Sequence, residues 1–121
     1  MNVKKIFSTG TPEEIHKMIS DRLPPIEGYY TWHGKGLCLL FTIIEILVYL
    51  RETKFVVIDY GKVIKLIELK NLETLVNSDI PEHCRDSLNE YIRDLLPVGN
   101  EISVHKFIIS RFIKINVSDF L

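Results

Sequence analysis

The stretch Gly28-Tyr29-Tyr30-Thr31-Trp32-His33-Gly34-Lys35-Gly36 gathers side chains that can grip a partner. Tyrosine and tryptophan each bring a large apolar area and a polar handle at low entropic cost, and they anchor many protein interfaces. On a connecting loop, Tyr29, Tyr30, Trp32 and His33 would sit at the surface. In the alternative reading, Trp32 and one tyrosine fold inward and close the core. A second set is the row Glu82, Asp86, Glu90 and Asp94, four acids at successive i, i+4 positions. On a helix each pair repels by roughly 0.2–0.5 kcal/mol. Residues 71–101 hold seven acids against Arg85 and Arg93, a local charge of −5 (2 − 7). Such a face suits a basic protein partner, because complementary charge speeds association. It also fits an ordinary solvated face, with Arg85 and Arg93 each three positions from an acid.

Other chemistry finds little support in the spacing. Lys62, Lys65, Lys70, Lys106, Arg111 and Lys114 could meet phosphates if they converged. Lysines also protect edge strands from stray pairing, and that reading is preferred, so a nucleic-acid partner is not expected. His16, His33, His83 and His105 form no pair at metal-ligand spacing. Cys84 follows His83, but neighbouring residues on a helix point in different directions, and no second ligand pair exists. A thiol–imidazole pair between Cys38 or Cys84 and His33 stays open, although both cysteines fall on apolar faces where thiols are buried and inert. Gly34-Lys35-Gly36 lacks the spacing of a phosphate loop. No catalytic residue, metal site or cofactor is expected.

Composition bounds the rest. The chain has 121 residues, including 17 Ile, 14 Leu and 9 Val, which is one domain's worth with an ample core. Fifteen basic and sixteen acidic residues nearly cancel, so no bulk attraction to nucleic acid or an anionic membrane follows. Alanine is absent. Helices must therefore be held by packing rather than by propensity. Met1–Phe7 begins like a signal peptide, but Ser8–Pro12 ends the apolar stretch too soon. Leu37–Leu50 is 14 residues, about 21 Å as a helix, too short for a bilayer core. With two cysteines far apart in sequence, a reduced, cytoplasmic chain is the expectation.

These sets must be positioned by a short list of elements. Asn2–Phe7 reads as a strand. Thr11-Pro12-Glu13-Glu14 opens a helix with a capping box, and Ile15, Met18, Ile19 and Leu23 line its face. After the loop Ile26–Gly36, the Leu37–Leu50 stretch reads as a central helix packed on two sides. Its only polar stripe is Cys38, Thr42, Glu45, Tyr49 and Glu52, and Glu45 is expected at the rim. Lys54–Asp59 reads as a strand that turns at Tyr60-Gly61 into Val63–Leu69, a hairpin. A short helix over Asn71–Asn77 precedes one capped by Asp79, with Cys84, Leu88, Tyr91, Ile92 and Leu95 inward. Over residues 101–118, Ile102, Val104, Ile113, Ile115 and Val117 alternate as a strand does, although Val104, Ile108, Phe112 and Ile115 also fit a helix face.

The expected fold is therefore α/β, with α+β as the variant, in one domain over residues 1–121. A mixed sheet of three to four strands packs against helices around a central apolar helix at about 37–52. This order of elements resembles that of the barstar-like ribonuclease inhibitors. The resemblance is carried by Lys4-Lys5-Ile6-Phe7, the helix around Ile15, Gly28-Tyr29-Tyr30, the apolar helix, Phe55-Val56-Val57-Ile58, the helix ending near Leu96, and Glu101-Ile102-Ser103-Val104. It implies a parallel three-stranded sheet and an inhibitory partner. That family's inhibitory acids open its second helix, where Lys35, Gly36 and Leu37 stand here, so neither those acids nor their target carries over.

The resulting expectation is a non-catalytic domain that binds another protein, in its concrete form an immunity or antitoxin protein blocking a basic toxin such as a nuclease. Tyr29, Tyr30, Trp32 and His33 would anchor it, and Glu82, Asp86, Glu90 and Asp94 would steer it. The alternatives are a small enzyme or ligand binder with a cleft at the aromatic loop, and a self-associating structural subunit.

Overall fold

The computed structural model describes residues 2–23, 31–95, 101–115 and 117–120. Among these described residues seven α-helices follow one another: α1 (Val3–Thr9), α2 (Pro12–Ser20), α3 (Thr31–Lys54), α4 (Tyr60–Leu66), α5 (Leu69–Val76), α6 (Glu82–Leu95) and α7 (Glu101–Ile113). A 3-10 turn over Val117–Phe120 comes last. Among the described residues there is no strand, so the expected α/β or α+β fold with its three- to four-stranded sheet is overturned. The parallel sheet implied by the barstar-like resemblance is likewise not found there.

The physical reason lies in the missing alanine. Isoleucine and valine fill helix interiors here, at a propensity cost of no more than about 0.7 kcal/mol each. Burying one such side chain returns roughly 1.5–3 kcal/mol, so packing decides. Short polar caps mark the true starts. The Asn2 side chain accepts a bond from the Lys5 amide at 3.1 Å, which makes Val3–Thr9 a helix rather than a strand. Asp59 accepts from the Lys62 amide at 2.8 Å and opens α4 where a hairpin was expected. In α7, His105, Ile108, Ile109 and Phe112 are buried at steps of three and four, the helical alternative to the expected strand. Residues 55–59 have no regular secondary structure, and among the described residues no segment pairs with them as a strand.

Other expectations hold. Thr11 and Glu14 form the capping box of α2. Leu37–Leu50 lies within α3, where Leu39, Leu40, Ile43, Ile44, Ile46 and Leu47 are all buried. This central helix packs against α2, α4, α6 and α7. His16 ties α2 to it by donating from Nε2 to the Leu37 carbonyl at 3.1 Å. The helix α6 begins at Glu82, and the Pro81 carbonyl accepts its first turn from Arg85, so Asp79 stands outside the capping position.

Two features close the core. The helix α7 crosses α3 at Gly36, where an added Cβ would lie 3.0 Å from the Ile108 carbonyl oxygen and 3.3 Å from the Phe112 ring. Phe120 stacks on Tyr60 at 4.3 Å with the Arg22 guanidinium over its ring, while the Tyr60 hydroxyl donates to the Phe112 carbonyl at 2.6 Å. Among the described residues no helix is long and apolar enough to cross a membrane.

Candidate functional site

The predicted aromatic loop divides. Tyr29 and Tyr30 lie outside the described residues. Trp32 and His33 belong to the first turn of α3, which starts at Thr31 and runs through both Gly34 and Gly36. A glycine inside a helix costs about 1 kcal/mol. At Gly36 the close approach of α7 explains why it is tolerated, so the two glycines do not mark a loop.

Glu82, Asp86, Glu90 and Asp94 all stand exposed on α6. The expected relief by Arg85 is not what the structure contains. Its Nε donates to the Val76 carbonyl at 3.0 Å and its Nη2 to the Ser78 carbonyl at 2.9 Å, tying the α5–α6 connection together. The row is instead anchored at its far end, where Lys35 of α3 meets Asp94 at 2.8 Å. Lys62, Lys65, Lys70, Lys106 and Arg111 sit on helices rather than on edge strands, and Lys114 lies in the turn after α7. Lys62 donates to the Val57 carbonyl at 2.6 Å, and Lys70 lies 3.7 Å from Glu68.

The polar stripe of α3 and the acid row of α6 meet along one antiparallel seam. Lys35 pairs with Asp94 at one end, and Glu45 pairs with His83 about 15 Å along the helix. Between them lies an open cavity of about 390 Å³ lined by Cys38, Thr42, Ser87 and Glu90 among others. Cys38 is exposed there, contrary to the expected burial, and Cys84 is buried as expected.

At the second end three groups converge. His83 Nε2 lies 2.9 Å from Glu45 Oε2, and Cys84 Sγ lies 3.5 Å from the same nitrogen. All three ligand atoms fall within 4.8 Å of one another. Neighbouring helix residues were expected to point apart, but the imidazole folds back over the sulfur from the opening turn of α6. Glu45, expected at the rim, is 24% exposed and has found a partner. Burial, and then the Glu45 charge, push the Cys84 thiol up to about 11. It is therefore protonated at neutral pH and is not an activated nucleophile. Neither partner was visible from sequence, because their meeting depends on the register between two helices.

A second feature, also missed, lies just past the C-terminal end of α3. Phe55 is 89% exposed and Val57 72% exposed on the irregular connection to α4. Beside them opens an apolar groove of about 560 Å³ with Phe7, Ile58 and Phe120 in its walls and Lys4, Arg51 and Asp59 among its lining residues. Phe55 adopts φ +57°, a left-handed conformation in a non-glycine residue, which costs roughly 1–2 kcal/mol. The sequence signal was the strand-like Phe55-Val56-Val57-Ile58. Its alternation is real, but it separates buried Ile58 from solvent rather than one sheet face from another.

A polar network is buried between α6 and α7. The Tyr91 hydroxyl donates to His105 Nδ1 at 2.7 Å, and His105 Nε2 donates to the Ile67 carbonyl at 2.7 Å. Burial lowers the His105 pKa, against the raising effect of the Ile67 carbonyl. The network joins α4, α6 and α7; Tyr91 also lines the seam cavity, and His105 lines a separate open groove of about 530 Å³ with Leu69, Ile109 and Ile113. No protein-family model, curated protein or solved structure matches the chain.

Proposed function

We propose that the chain is a non-catalytic domain that binds another protein, and that its concrete form is an immunity- or antitoxin-type inhibitor of a basic partner. The observation that carries this reading is the Phe55–Val57 ridge. Leaving a phenylalanine in water forgoes roughly 1.5–3 kcal/mol of burial, and its left-handed backbone adds a further cost at the same residue. Local costs of this kind collect at functional positions. An exposed aromatic beside an apolar groove with a charged rim fits the core-and-rim pattern of a protein interface. The exposed acids of α6 support a basic partner through long-range steering. The protonated Cys84 thiol argues against covalent catalysis at the seam.

The test places a photo-activated benzophenone side chain at position 55, with position 13 on the exposed face of α2 as control. A second protein cross-linked from position 55 alone is the expected result. Changing Phe55→Ser together with Val57→Ser should then weaken its binding at least about tenfold, or roughly 1.4 kcal/mol. Changing Glu82→Lys with Asp86→Lys should slow association and flatten its salt dependence. Cross-links only between copies of this chain, with a dimer in light scattering, would replace the proposal by self-association.

A further inference from the structure

We infer that Glu45, His83 and Cys84 form a binding site for a borderline-soft divalent transition-metal cation, best matched by Zn²⁺, with one coordination position left to water. The inference is independent of the partner proposed above. Three different donors from two helices lie within 4.8 Å of one another: a carboxylate oxygen of α3 and the imidazole and sulfur of α6. An ordinary surface ion pair accounts for Glu45 and His83. It does not account for the third member, a fully buried residue whose sulfur lies 3.5 Å from an exposed imidazole.

The donor separations lie near those the ion needs, with the Cys84 sulfur and the Glu45 carboxylate oxygen within 4.8 Å of each other. Tetrahedral zinc, with bonds of about 2.0–2.3 Å, sets its donors roughly 3.3–3.6 Å apart. The sulfur–nitrogen separation of 3.5 Å already fits. The nitrogen–oxygen separation of 2.9 Å must open by about half an ångström, which rotation of the exposed His83 side chain supplies. One carboxylate and one thiolate balance the dication. Thiolate and imidazole select against Mg²⁺ and Ca²⁺, which prefer oxygen ligands. On binding, the S–H bond of Cys84 breaks as the sulfur–metal bond forms, the proton leaves to solvent, and no electron is transferred. Three protein ligands leave the fourth position at the solvent-facing side of His83.

Cobalt(II) provides the probe, added to the full chain under reducing conditions. The expected result is one Co²⁺ per chain, with a thiolate-to-cobalt charge-transfer band, tetrahedral visible absorption and displacement by Zn²⁺. His83→Ala and Glu45→Gln lie outside the core, retain their helical circular dichroism, and each weaken Co²⁺ at least tenfold. Cys84→Ser removes the charge-transfer band. If Cys84→Ser fails to fold, His83→Ala decides. Absence of bound cobalt, cobalt bound without the thiolate band, or unchanged affinity in His83→Ala overturns the assignment.

Discussion

Changing Tyr91→Phe removes one oxygen from a site with almost no access to water. Tyr91 is 7% and His105 3% exposed. The lost hydroxyl is the donor that satisfies His105 Nδ1 at 2.7 Å, while the Nε2 bond to the Ile67 carbonyl survives. A buried acceptor left without its donor costs about 1–3 kcal/mol, and the ring itself still fills its place, so no cavity term adds to this. Urea unfolding followed by helical circular dichroism at about pH 8, where histidine is neutral in both states, should show a loss within that range. The same network sets an acid limit. Burial lowers the His105 pKa in the folded chain, so between the lowered value and the unfolded value of about 6.5 the unfolded chain binds the extra proton. Its contribution to stability is complete above about pH 6.5 and is lost as the pH falls toward the folded pKa, at no more than about 1.4 kcal/mol per pH unit for one proton. His105→Leu should remove that acid-side slope relative to the parent. A Tyr91→Phe chain within about 0.3 kcal/mol of the parent, well below the orphaned-acceptor cost, would refute the reasoning.

Gly36→Ala should destabilise the fold despite alanine's better helix propensity. Overpacking against a helix backbone costs about 1–3 kcal/mol and the propensity gain returns about 1; equal or higher urea stability would mean that α7 moves away from the Ile108 contact at little cost. Phe55→Asn should stabilise the chain by up to about 1 kcal/mol, because asparagine tolerates the left-handed backbone better and the phenylalanine buries little. The same change should weaken the proposed partner. A stability gain without loss of binding would detach the ridge from function.

The two surfaces lie at different heights along α3. The Glu45–His83–Cys84 cluster sits mid-helix on the seam with α6, and Phe55 follows the last turn after Lys54. About 14 Å of helix separates Glu45 from Lys54, the residue before Phe55, so each can be altered without touching the other. Arg51 stands between them in sequence and holds the α1–α2 corner through the Phe7 and Gly10 carbonyls, both at 2.9 Å.

Local signals with their own chemistry were readable in advance. The Thr11–Glu14 capping box, the apolar central helix, the inward face of α6 and the exposure of Glu82, Asp86, Glu90 and Asp94 each follow from one segment's residues and a periodicity of 3.6. Asn2 and Asp59 cap α1 and α4 in the structure, whereas the β-branched runs beside them read as strands. In a chain without alanine those residues are also what is left to fill a helix, and their short-range preferences amount to a few tenths of a kcal/mol against much larger burial terms. Tertiary packing decided the rest. The convergence of Glu45 with His83 and Cys84, the pairing of Lys35 with Asp94, and the exposure of Phe55 depend on how α3 lies against α6 and where the chain leaves it. Such relations are distances between residues far apart along the chain, and no pattern within either segment encodes them.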